Sequence, residues 1–393
     1  MSPDPVVILA ARRTPVGAFQ GAFAGVTAPQ LGAVAIKAAL ADSGVPAAQV
    51  DEVLMGCVLA AGIGQAPARQ AALAGGIPAG VPTTTVNKMC GSAMRAVMLG
   101  CDQILAGSAK IVVAGGIESM TNAPYLLPKA RAGYRMGHQE VLDHMFYDGL
   151  QSPWDGQLMG CFAEATSEKY DFTRRAQDDF AAESVRRALA ATNSGAFAAE
   201  IAAVTAKTRK GEVVVDKDET PFTLDIAKIP TLKPAFKKDG TVTAASSSGI
   251  SDGAAALVLA RESFAAAQGR KPLARVLGYA SFAREPEWFT LAPVGAMTKL
   301  LEQLRWRADE VDLYEINEAF AAVPMAAMKD LGIPHQKVNV NGGACALGHP
   351  IGATGARILT TLLYALRARG VKRGIASLCI GGGEATAIAV ELV

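Results

Sequence analysis

Apolar runs alternate with helix-like segments along this chain, and the alternation occurs twice in the same order. Residues 50–58 and 109–116 are apolar, strand-like runs separated by alanine-rich, helix-like sequence. Residues 311–314 and 374–382 take the corresponding places in the second half. A helix between two strands is the connection that parallel strands need. The sequence therefore predicts an α/β protein built by internal duplication, with two similar βαβ halves.

The segment between the two halves has a different composition. Residues 121–243 carry more prolines and aromatic side chains, a charged helix at 174–191 and a turn-rich piece at 207–218. We interpret this segment as an inserted, loop-rich domain, after which the apolar pattern resumes at 251–260. The predicted boundaries are 1–120 for the N-terminal half, completed by 244–270, then 121–243 for the insertion and 271–393 for the C-terminal half.

Composition excludes several classes of protein. Half of the 393 residues are hydrophobic and 19% are charged, which supports a large core and argues against disorder. The net charge of +2, from 38 basic and 36 acidic residues, is too balanced for a general nucleic-acid binder. The longest apolar runs are interrupted well before the length that crosses a bilayer. We therefore expect neither nucleic acid nor membrane as a partner.

The six cysteines show neither a CxxC pair nor the His/Cys spacing of a zinc site. The N-terminal residues do not resemble a signal peptide. These features predict free thiols in a reducing, cytoplasmic environment, and no metal site.

Two glycine-rich loops and one turn carry the reactive side chains. Residues 341–355 form a glycine-dense loop that contains His349, and Cys379 precedes a run of three glycines. Cys90 lies where a predicted strand ends and a helix begins, and the helix N-terminus favours a thiolate there. A nucleophilic cysteine also needs a base, for which His349 is the candidate. The N–H groups of residues 381–383 are candidate donors to an oxyanion.

Structural interpretations remain open for the same residues. The loop at 341–355 could be a tight turn with an incidental histidine, and a free cysteine is commonly a small buried hydrophobe. We interpret Cys57, Cys101 and Cys161 in that second way. Asn317 follows a strand-like run, where it fits either a site at the carboxyl end of a strand or the cap of the next helix.

Four sequence blocks, together with two shorter ones, resemble the thiolase family over essentially the whole chain. The blocks are residues 87–92, 317–321, 341–352 and 379–383, with 240–244 and 251–255 in support. The resemblance is greatest to the short-chain acetyl-CoA acetyltransferases. It implies a five-layered α-β-α-β-α core of two similar halves, with an inserted loop domain that binds coenzyme A. It also implies a homodimer or homotetramer and no cofactor besides the coenzyme A thioester substrates.

The resemblance implies a role for each residue of the site. Cys90 would attack an acyl thioester and carry the acyl group. Cys379 would remove the α-proton of a second acyl-CoA. His349 would activate Cys90 and, with a water held by Asn317, bind the thioester oxygen. The N–H groups of Cys90 and Gly381 would form a second oxyanion site.

Substrate-binding residues follow from the same resemblance. They are Met159, Lys228, Phe236, Ala244, Ser248, Ile250, Ala319, Phe320 and Phe289. The chain departs from the family at Leu158, where a histidine is common, and it lacks a usual basic contact to the nucleotide. The candidates to replace that contact are Lys228, Lys233, Lys237 and Lys238.

Two further departures affect the pocket. Glu384 stands where Met or Gln is usual, and it could either raise the pKa of Cys379 by like-charge repulsion or pair with a surface cation. Phe289 occupies a position often held by Met. Both changes affect the expected acyl-chain preference and leave the reaction class unchanged.

The expected function is acetyl-CoA C-acetyltransferase, the Claisen condensation of two acetyl-CoA molecules and its thiolytic reverse, in fatty acid metabolism. One alternative is a 3-ketoacyl-CoA thiolase that prefers longer chains, and a decarboxylating condensing enzyme fits the block around Cys379 poorly. The remaining alternative is a non-catalytic protein that binds coenzyme A esters, which the retention of Cys90, His349 and Cys379 disfavours.

Overall fold

The computed structural model describes residues 4–208 and 211–393. Its strands are β1 (Val6–Arg13), β2 (Gly17–Ala18), β3 (Glu52–Gly56), β4 (Thr83–Val86), β5 (Ile111–Ser119), β6 (Tyr125–Leu126), β7 (Leu142–Asp143), β8 (Val204–Thr208), β9 (Gly211–Val215), β10 (Ser251–Arg261), β11 (Ala274–Ala283), β12 (Leu313–Ile316), β13 (Arg373–Ile380) and β14 (Glu384–Leu392). Its α-helices are α1 (Ala28–Ser43), α2 (Pro67–Ala74), α3 (Ser92–Ala106), α4 (Met159–Lys169), α5 (Arg174–Asn193), α6 (Glu262–Ala267), α7 (Ala292–Leu304), α8 (Ala322–Leu331), α9 (Ala344–Leu347) and α10 (Thr354–Arg369).

The two halves share one topology. In the N-terminal half β1 is antiparallel to β10, β10 is antiparallel to β5, and β3 runs parallel to both β5 and β4. In the C-terminal half β11 is antiparallel to β14, β14 is antiparallel to β13, and β13 is parallel to β12. Tyr314 of β12 then bridges in parallel to Val338, in the place that β4 holds in the first half. The predicted duplicated α/β fold is confirmed.

The halves join through the first strand of each. β1 and β11 pair over Val7–Arg275 and Ile8–Ala274, which makes one sheet in the order β12-β13-β14-β11-β1-β10-β5-β3-β4, with β2 added to β10. Because β10 pairs with both β1 and β5, a segment that follows the insertion in sequence lies inside the N-terminal half.

Three buried clusters separate the layers. Leu31 of α1 and Ala71 of α2 pack on one face of the N-terminal strands, among them Val113 of β5. Val112, the neighbour of Val113, faces the opposite way into a second cluster. That cluster contains α3 and α10, which lie between the two sets of strands. Helices α7 and α8 cover the outer face of the C-terminal strands. The layers therefore follow one another in the order α-β-α-β-α. The strands are buried on both faces, which explains their continuous apolar runs.

Local signals set both ends of α1. The hydroxyl of Thr27 accepts from the N–H of Gln30, whose side chain accepts from the N–H of Thr27, and Gly44 ends α1 in the left-handed conformation. Such a capping box and glycine satisfy groups that the helix leaves unpaired.

Two local predictions are wrong. The piece at 207–218 was expected to be turn-rich, yet β9 (Gly211–Val215) pairs with β8 as a hairpin, because the valines of β9 favour extended backbone. Residues 209–210 lie outside the described residues. The glycine-dense loop at 341–355 also contains a short helix, α9, whose Leu347 packs with Val185 of α5.

The segment 121–243 contributes α4, α5 and two small two-stranded sheets, while its predicted boundaries stay a prediction. None of the helices that the structure describes is both long enough and apolar enough to cross a membrane.

Candidate active site

The turn between β4 and α3 presents Cys90. The side-chain oxygen of Asn87 accepts from the N–H of Met89 at 3.0 Å, and the hydroxyl of Ser92 accepts from the N–H of Lys88 at 2.8 Å. Met89 takes a φ of +46°, a left-handed conformation that costs a residue with a side chain about 1–2 kcal/mol. The turn is therefore tightly specified and places Cys90 just before Gly91, the N-cap of α3.

Two backbone donors converge on the sulfur of Cys90. The N–H groups of Gly381 and of Cys90 itself lie near it and lower the thiol pKa. Burial is the larger effect, and together with the charge of Glu118 it raises the pKa of Cys90 to about 11, although the residue keeps some solvent exposure. Cys90 is consequently a thiol near neutral pH, and its use as a nucleophile requires a base.

Cys379 lies beside Cys90. It is fully buried near the end of β13, and burial, followed by the charge of a Cys90 thiolate, raises the pKa of its thiol well above the usual range. A side chain on Gly91 would lie 2.4 Å from the Cδ1 of Ile380, so the residues that follow the two cysteines are in contact. The structure thus brings Cys90, Cys379 and Gly381 together from opposite halves.

His349 is held by its backbone and by one ring nitrogen. Its N–H donates to the carbonyl of Gly249 at 3.0 Å, and its Nδ1 lies 2.6 Å from the hydroxyl oxygen of Thr354. Burial, with a contribution from Arg357, lowers the pKa of His349 to about 3. Its Nε2 is buried and has no hydrogen-bond partner among the described residues. The ring is therefore neutral at pH 7, with one nitrogen available to take a proton.

The loop that carries His349 is seated on the N-terminal half. Both oxygens of the fully buried Glu118 are used, since they accept from the N–H groups of Gly352 at 2.8 Å, Val58 at 3.1 Å and Leu59 at 3.2 Å. Burial raises the pKa of Glu118 and the three N–H donors lower it. Burial is the larger effect, so the pKa is raised to about 7. Ile351 of the same loop packs in a cluster that includes Cys90. This seating places His349 in the neighbourhood of Cys90.

Asn317 is buried and its side chain is unpaired among the described residues. Its N–H donates to the carbonyl of Ser377 at 3.0 Å, while its Oδ1 and Nδ2 are buried and lack partners among the described residues. The alternative that Asn317 caps the next helix is wrong, because α8 begins at Ala322 with Ala321 at its cap. The neighbouring Glu318 has a structural role instead. Its carboxylate accepts hydrogen bonds from the Ser184 hydroxyl, the Asn339 side-chain amide and the N–H of Cys345.

Apolar side chains surround Cys379. Met159, at the start of α4, places its sulfur 3.6 Å from the position of a Cβ on Gly381. Phe289 is buried in the same cluster as Cys379 and packs edge-to-face on Phe162, with ring centroids 6.2 Å apart. Phe320 packs in the same way on Phe236 at 5.9 Å. These aromatic rings belong to, or pack against, the buried cluster that contains Cys379.

The other predicted substrate residues lie along one stretch of chain and at the surface. Ser248 donates its N–H to the carbonyl of Ala319 at 3.0 Å, and Ile250 packs partly buried near Ile351. Ala244 is exposed. The candidate lysines are exposed as well: Lys228 lies 3.4 Å from Asp225, Lys237 lies 3.9 Å from Glu168, and Lys233 and Lys238 are the other two.

Glu384 forms an ion pair with Lys88, across the two halves. Of the two alternatives for Glu384, the structure therefore supports pairing with a surface cation. The pKa of Cys379 is raised by burial and by Cys90, without a contribution from Glu384 among the principal causes.

Sequence reasoning missed Thr354, Glu118 and Lys88. A carboxylate at the end of an otherwise apolar strand was a signal for Glu118, because a buried charge needs partners. Thr354 and Lys88 had no local signal, since each acts through a residue that only folding brings near. The six cysteines are free, and no cluster of metal-ligating side chains occurs in residues 4–208 or 211–393.

Comparisons with known proteins agree over the full length. Residues 6–263 match the family model "Thiolase, N-terminal domain", and residues 270–392 match "Thiolase, C-terminal domain". The acetyl-CoA acetyltransferase of Pseudomonas aeruginosa is 49% identical over 98% of each chain. The crystal structure of the Bacillus anthracis acetyl-CoA acetyltransferase superimposes with a TM-score of 0.97 at 43% identity, over 99% of each chain. Acat5 thiolase from Ascaris suum, in complex with coenzyme A, superimposes with a TM-score of 0.94 at 42% identity, over 99% of this chain and 100% of the other. The chain belongs to the thiolase family and is an acyltransferase.

Proposed function

We propose that the protein is an acetyl-CoA C-acetyltransferase, which condenses two acetyl-CoA molecules to acetoacetyl-CoA and coenzyme A and catalyses the thiolytic reverse. The observation that carries the proposal is the meeting of Cys90, Cys379 and the Gly381 N–H at the seam between the halves. The names of the full-length relatives support the same activity.

In the first half-reaction, Cys90 becomes acylated. Because its thiol is protonated at neutral pH, the unpaired Nε2 of His349 takes the proton as the sulfur attacks the thioester carbonyl. The carbonyl–sulfur bond of acetyl-CoA then breaks, and coenzyme A leaves with the proton returned by His349. A histidine with a low pKa is well suited to return that proton.

In the second half-reaction, Cys379 reacts as a thiolate and removes an α-proton from a second acetyl-CoA, becoming a thiol. Acylation of Cys90 supports this step, because an acylated sulfur cannot ionise and so cannot add the negative charge that raises the pKa of Cys379. The developing enolate oxygen receives hydrogen bonds from His349 and from a water held by Asn317, whose side chain is unpaired.

The carbanion then attacks the acyl group on Cys90. The N–H groups of Cys90 and Gly381 stabilise the resulting oxyanion, since they already converge on the sulfur. Collapse of that intermediate forms acetoacetyl-CoA, releases the Cys90 sulfur as thiolate, and leaves the abstracted proton on Cys379 to neutralise it. No cofactor takes part in this scheme, and the coenzyme A thioesters are substrates.

The aromatic cluster favours short acyl chains over the longer ones of the alternative 3-ketoacyl-CoA thiolase. Phe289 is 2% exposed and Phe320 is 8% exposed, so both rings fill space in the buried cluster that contains Cys379. We assign coenzyme A binding to the side of the pocket that contains Met159 and Ser248, with the exposed lysines near its phosphates.

We also propose a cytoplasmic homodimer or homotetramer. Strand β4 is a partly exposed edge of the large sheet, and large apolar side chains such as Tyr125, Met136 and Trp154 are exposed in the insertion. Exposed edges and apolar patches of this kind favour association. The six free cysteines suit a reducing compartment.

Acyl labelling tests the nucleophile. Incubation with radiolabelled acetyl-CoA, rapid quenching and peptide mapping should place the label on Cys90. Label on a different cysteine, or no covalent label, would overturn the scheme and favour a protein that only binds coenzyme A esters.

Isotope exchange tests the base. Cys379→Ala should lower deuterium exchange at the acetyl methyl by at least about a hundredfold while Cys90 still becomes acylated. Cys161→Ala, at a partly exposed cysteine with no role in the scheme, is the control and should exchange normally. Normal exchange in Cys379→Ala would remove its assigned role.

A further inference from the structure

One ion pair joins the two loops that hold the backbone donors of the site. Lys88 precedes Cys90 by two residues, and Glu384 follows the glycine run that begins at Gly381. The Nζ of Lys88 contacts the Oε2 of Glu384 although the two residues are 296 positions apart in sequence. The pair therefore connects the N-terminal half to the C-terminal half, through the two loops that carry Cys90 and Gly381.

Each end of the pair is anchored to regular structure. The N–H of Lys88 donates to the hydroxyl of Ser92 in α3, and its carbonyl accepts from the N–H of Gly91 at 3.0 Å. Glu384 is the first residue of β14, where it is in register with Ile380 on one side and Ala283 on the other. The backbones of both residues are therefore fixed, each to its own half.

The backbone between these anchors is the part that needs restraint. Gly382 and Gly383 have φ values of +96° and +91°, which only glycine adopts readily, and no side chain of their own fixes them. Gly381 nevertheless has to direct its N–H at the Cys90 sulfur, and the Gly91–Ile380 contact restrains only the residue before it.

We infer that the Lys88–Glu384 pair is a positioning device, which keeps the Gly381 N–H and the Cys90 N–H at the separation that an oxyanion requires. This inference rests on the proposed function. Lys88 and Glu384 are side-chain exposed by 24% and 38%, so the pair adds little to stability. Its effect is expected on catalysis, because a small displacement of an aligned donor is costly there.

Removal of the charge at one end tests the device. Glu384→Gln keeps the shape of the side chain and should lower kcat for acetoacetyl-CoA thiolysis about tenfold, with little change in KM. Lys88→Met should have the same effect, and the exchanged variant Lys88→Glu/Glu384→Lys should recover most of the activity. The control is Glu391→Gln, at the far end of β14, which breaks a pair with Arg373 of similar exposure and should stay within about twofold of wild type.

A second measurement does not depend on turnover. Because the Gly381 N–H lowers the pKa of Cys90, loosening that donor should shift the pH profile of Cys90 alkylation by iodoacetamide upward in Glu384→Gln but not in Glu391→Gln. Thermal unfolding of both variants, measured alongside, should give midpoints close to that of wild type.

The possible outcomes separate the two claims. If Glu384→Gln shifts the alkylation profile but the wild-type protein transfers no acetyl group, the positioning device is retained and the proposed function is overturned. An active wild type whose Glu384→Gln variant matches Glu391→Gln in both readouts would overturn the positioning device. A higher KM with unchanged kcat would also overturn it, since Lys88 would then serve to bind the anionic substrate.

Discussion

The Nδ1 of His349 lies 2.6 Å from the hydroxyl oxygen of Thr354, and the opposite ring nitrogen is buried without a partner in the described part of the chain. The hydroxyl also lies 2.9 Å from the carbonyl of Pro350, to which it can donate. In that arrangement it accepts a hydrogen bond from Nδ1–H, and the neutral ring presents a lone pair at Nε2. One threonine thus sets both the tautomer and the orientation of the proposed base.

Replacement of that hydroxyl should impair the base. We expect Thr354→Val to lower kcat roughly tenfold or more and Thr354→Ser to retain most activity, because only the hydroxyl orients the ring. Steady-state thiolysis kinetics check this. Thr360→Val is the control on the same helix, where a buried hydroxyl donates to the carbonyl of Ala356. Equal activity in Thr354→Val and Thr360→Val would contradict the assignment.

The buried imidazole should make stability depend on pH. Burial lowers the pKa of His349 from 6.5 to about 3, so between these values the unfolded chain binds the proton and the folded one does not. The stability associated with the neutral ring is complete above pH 6.5 and is lost as the pH falls. His349→Gln should therefore reduce the loss of unfolding free energy between pH 6.5 and 5 by about 2 kcal/mol.

Denaturant unfolding at several pH values measures that difference. The control is His138→Gln, at an exposed histidine, whose pH dependence should match wild type. Parallel stability curves for wild type and His349→Gln across this range would show that the ring is protonated in the folded protein.

The packing of the His349 loop on β5 should not tolerate an added methyl group. A Cβ on Gly116 would lie 2.1 Å from the carbonyl oxygen of Gly352 and 2.6 Å from the Cβ of Ala93. We expect Gly116→Ala to destabilise the protein by about 3 kcal/mol or more, because backbone must shift. Gly80→Ala meets no atom within 4 Å and is the control. Similar unfolding free energies for both variants would contradict this packing of the His349 loop on β5.

The buried ring of Phe289 should restrict the acyl chain. Phe289→Met replaces a rigid ring by a flexible side chain and should raise the ratio of kcat/KM for 3-ketohexanoyl-CoA relative to acetoacetyl-CoA several-fold. Phe197→Met, at a ring that is also 2% exposed but lies in another cluster, should leave the ratio unchanged. An unchanged ratio in Phe289→Met would place the chain-length limit elsewhere.

Much of the fold was predictable because its signals are local. The period of the apolar residues distinguishes strands from helices, and Gly44 marks the end of α1 by a conformation that glycine adopts easily. The hairpin of β8 and β9 was missed because its valines lie between turn-forming residues and are mostly exposed. The order of the motif blocks was sufficient to name the candidate cysteines and histidine.

The partners of those residues were not predictable. Asn317 and Glu384 each had two interpretations in sequence, and the choice depended on which residues lay nearby: α8 starts too late for Asn317 to cap it, and Lys88 approaches Glu384 from the other half. Thr354 and Glu118 gained their roles in the same way, through contacts with His349 and with Gly352.

The sequence alone determined the reactive groups, the alternation of strands and helices, and the duplication, since these depend on side-chain chemistry and on spacing along the chain. Only the tertiary structure decided which groups meet and with what charge. Burial alters the pKa of Cys90, Cys379 and His349, and the N–H of Gly381 reaches Cys90 across the seam. The physical reason is that burial and electrostatic fields depend on distance in space, which separation along the chain does not specify.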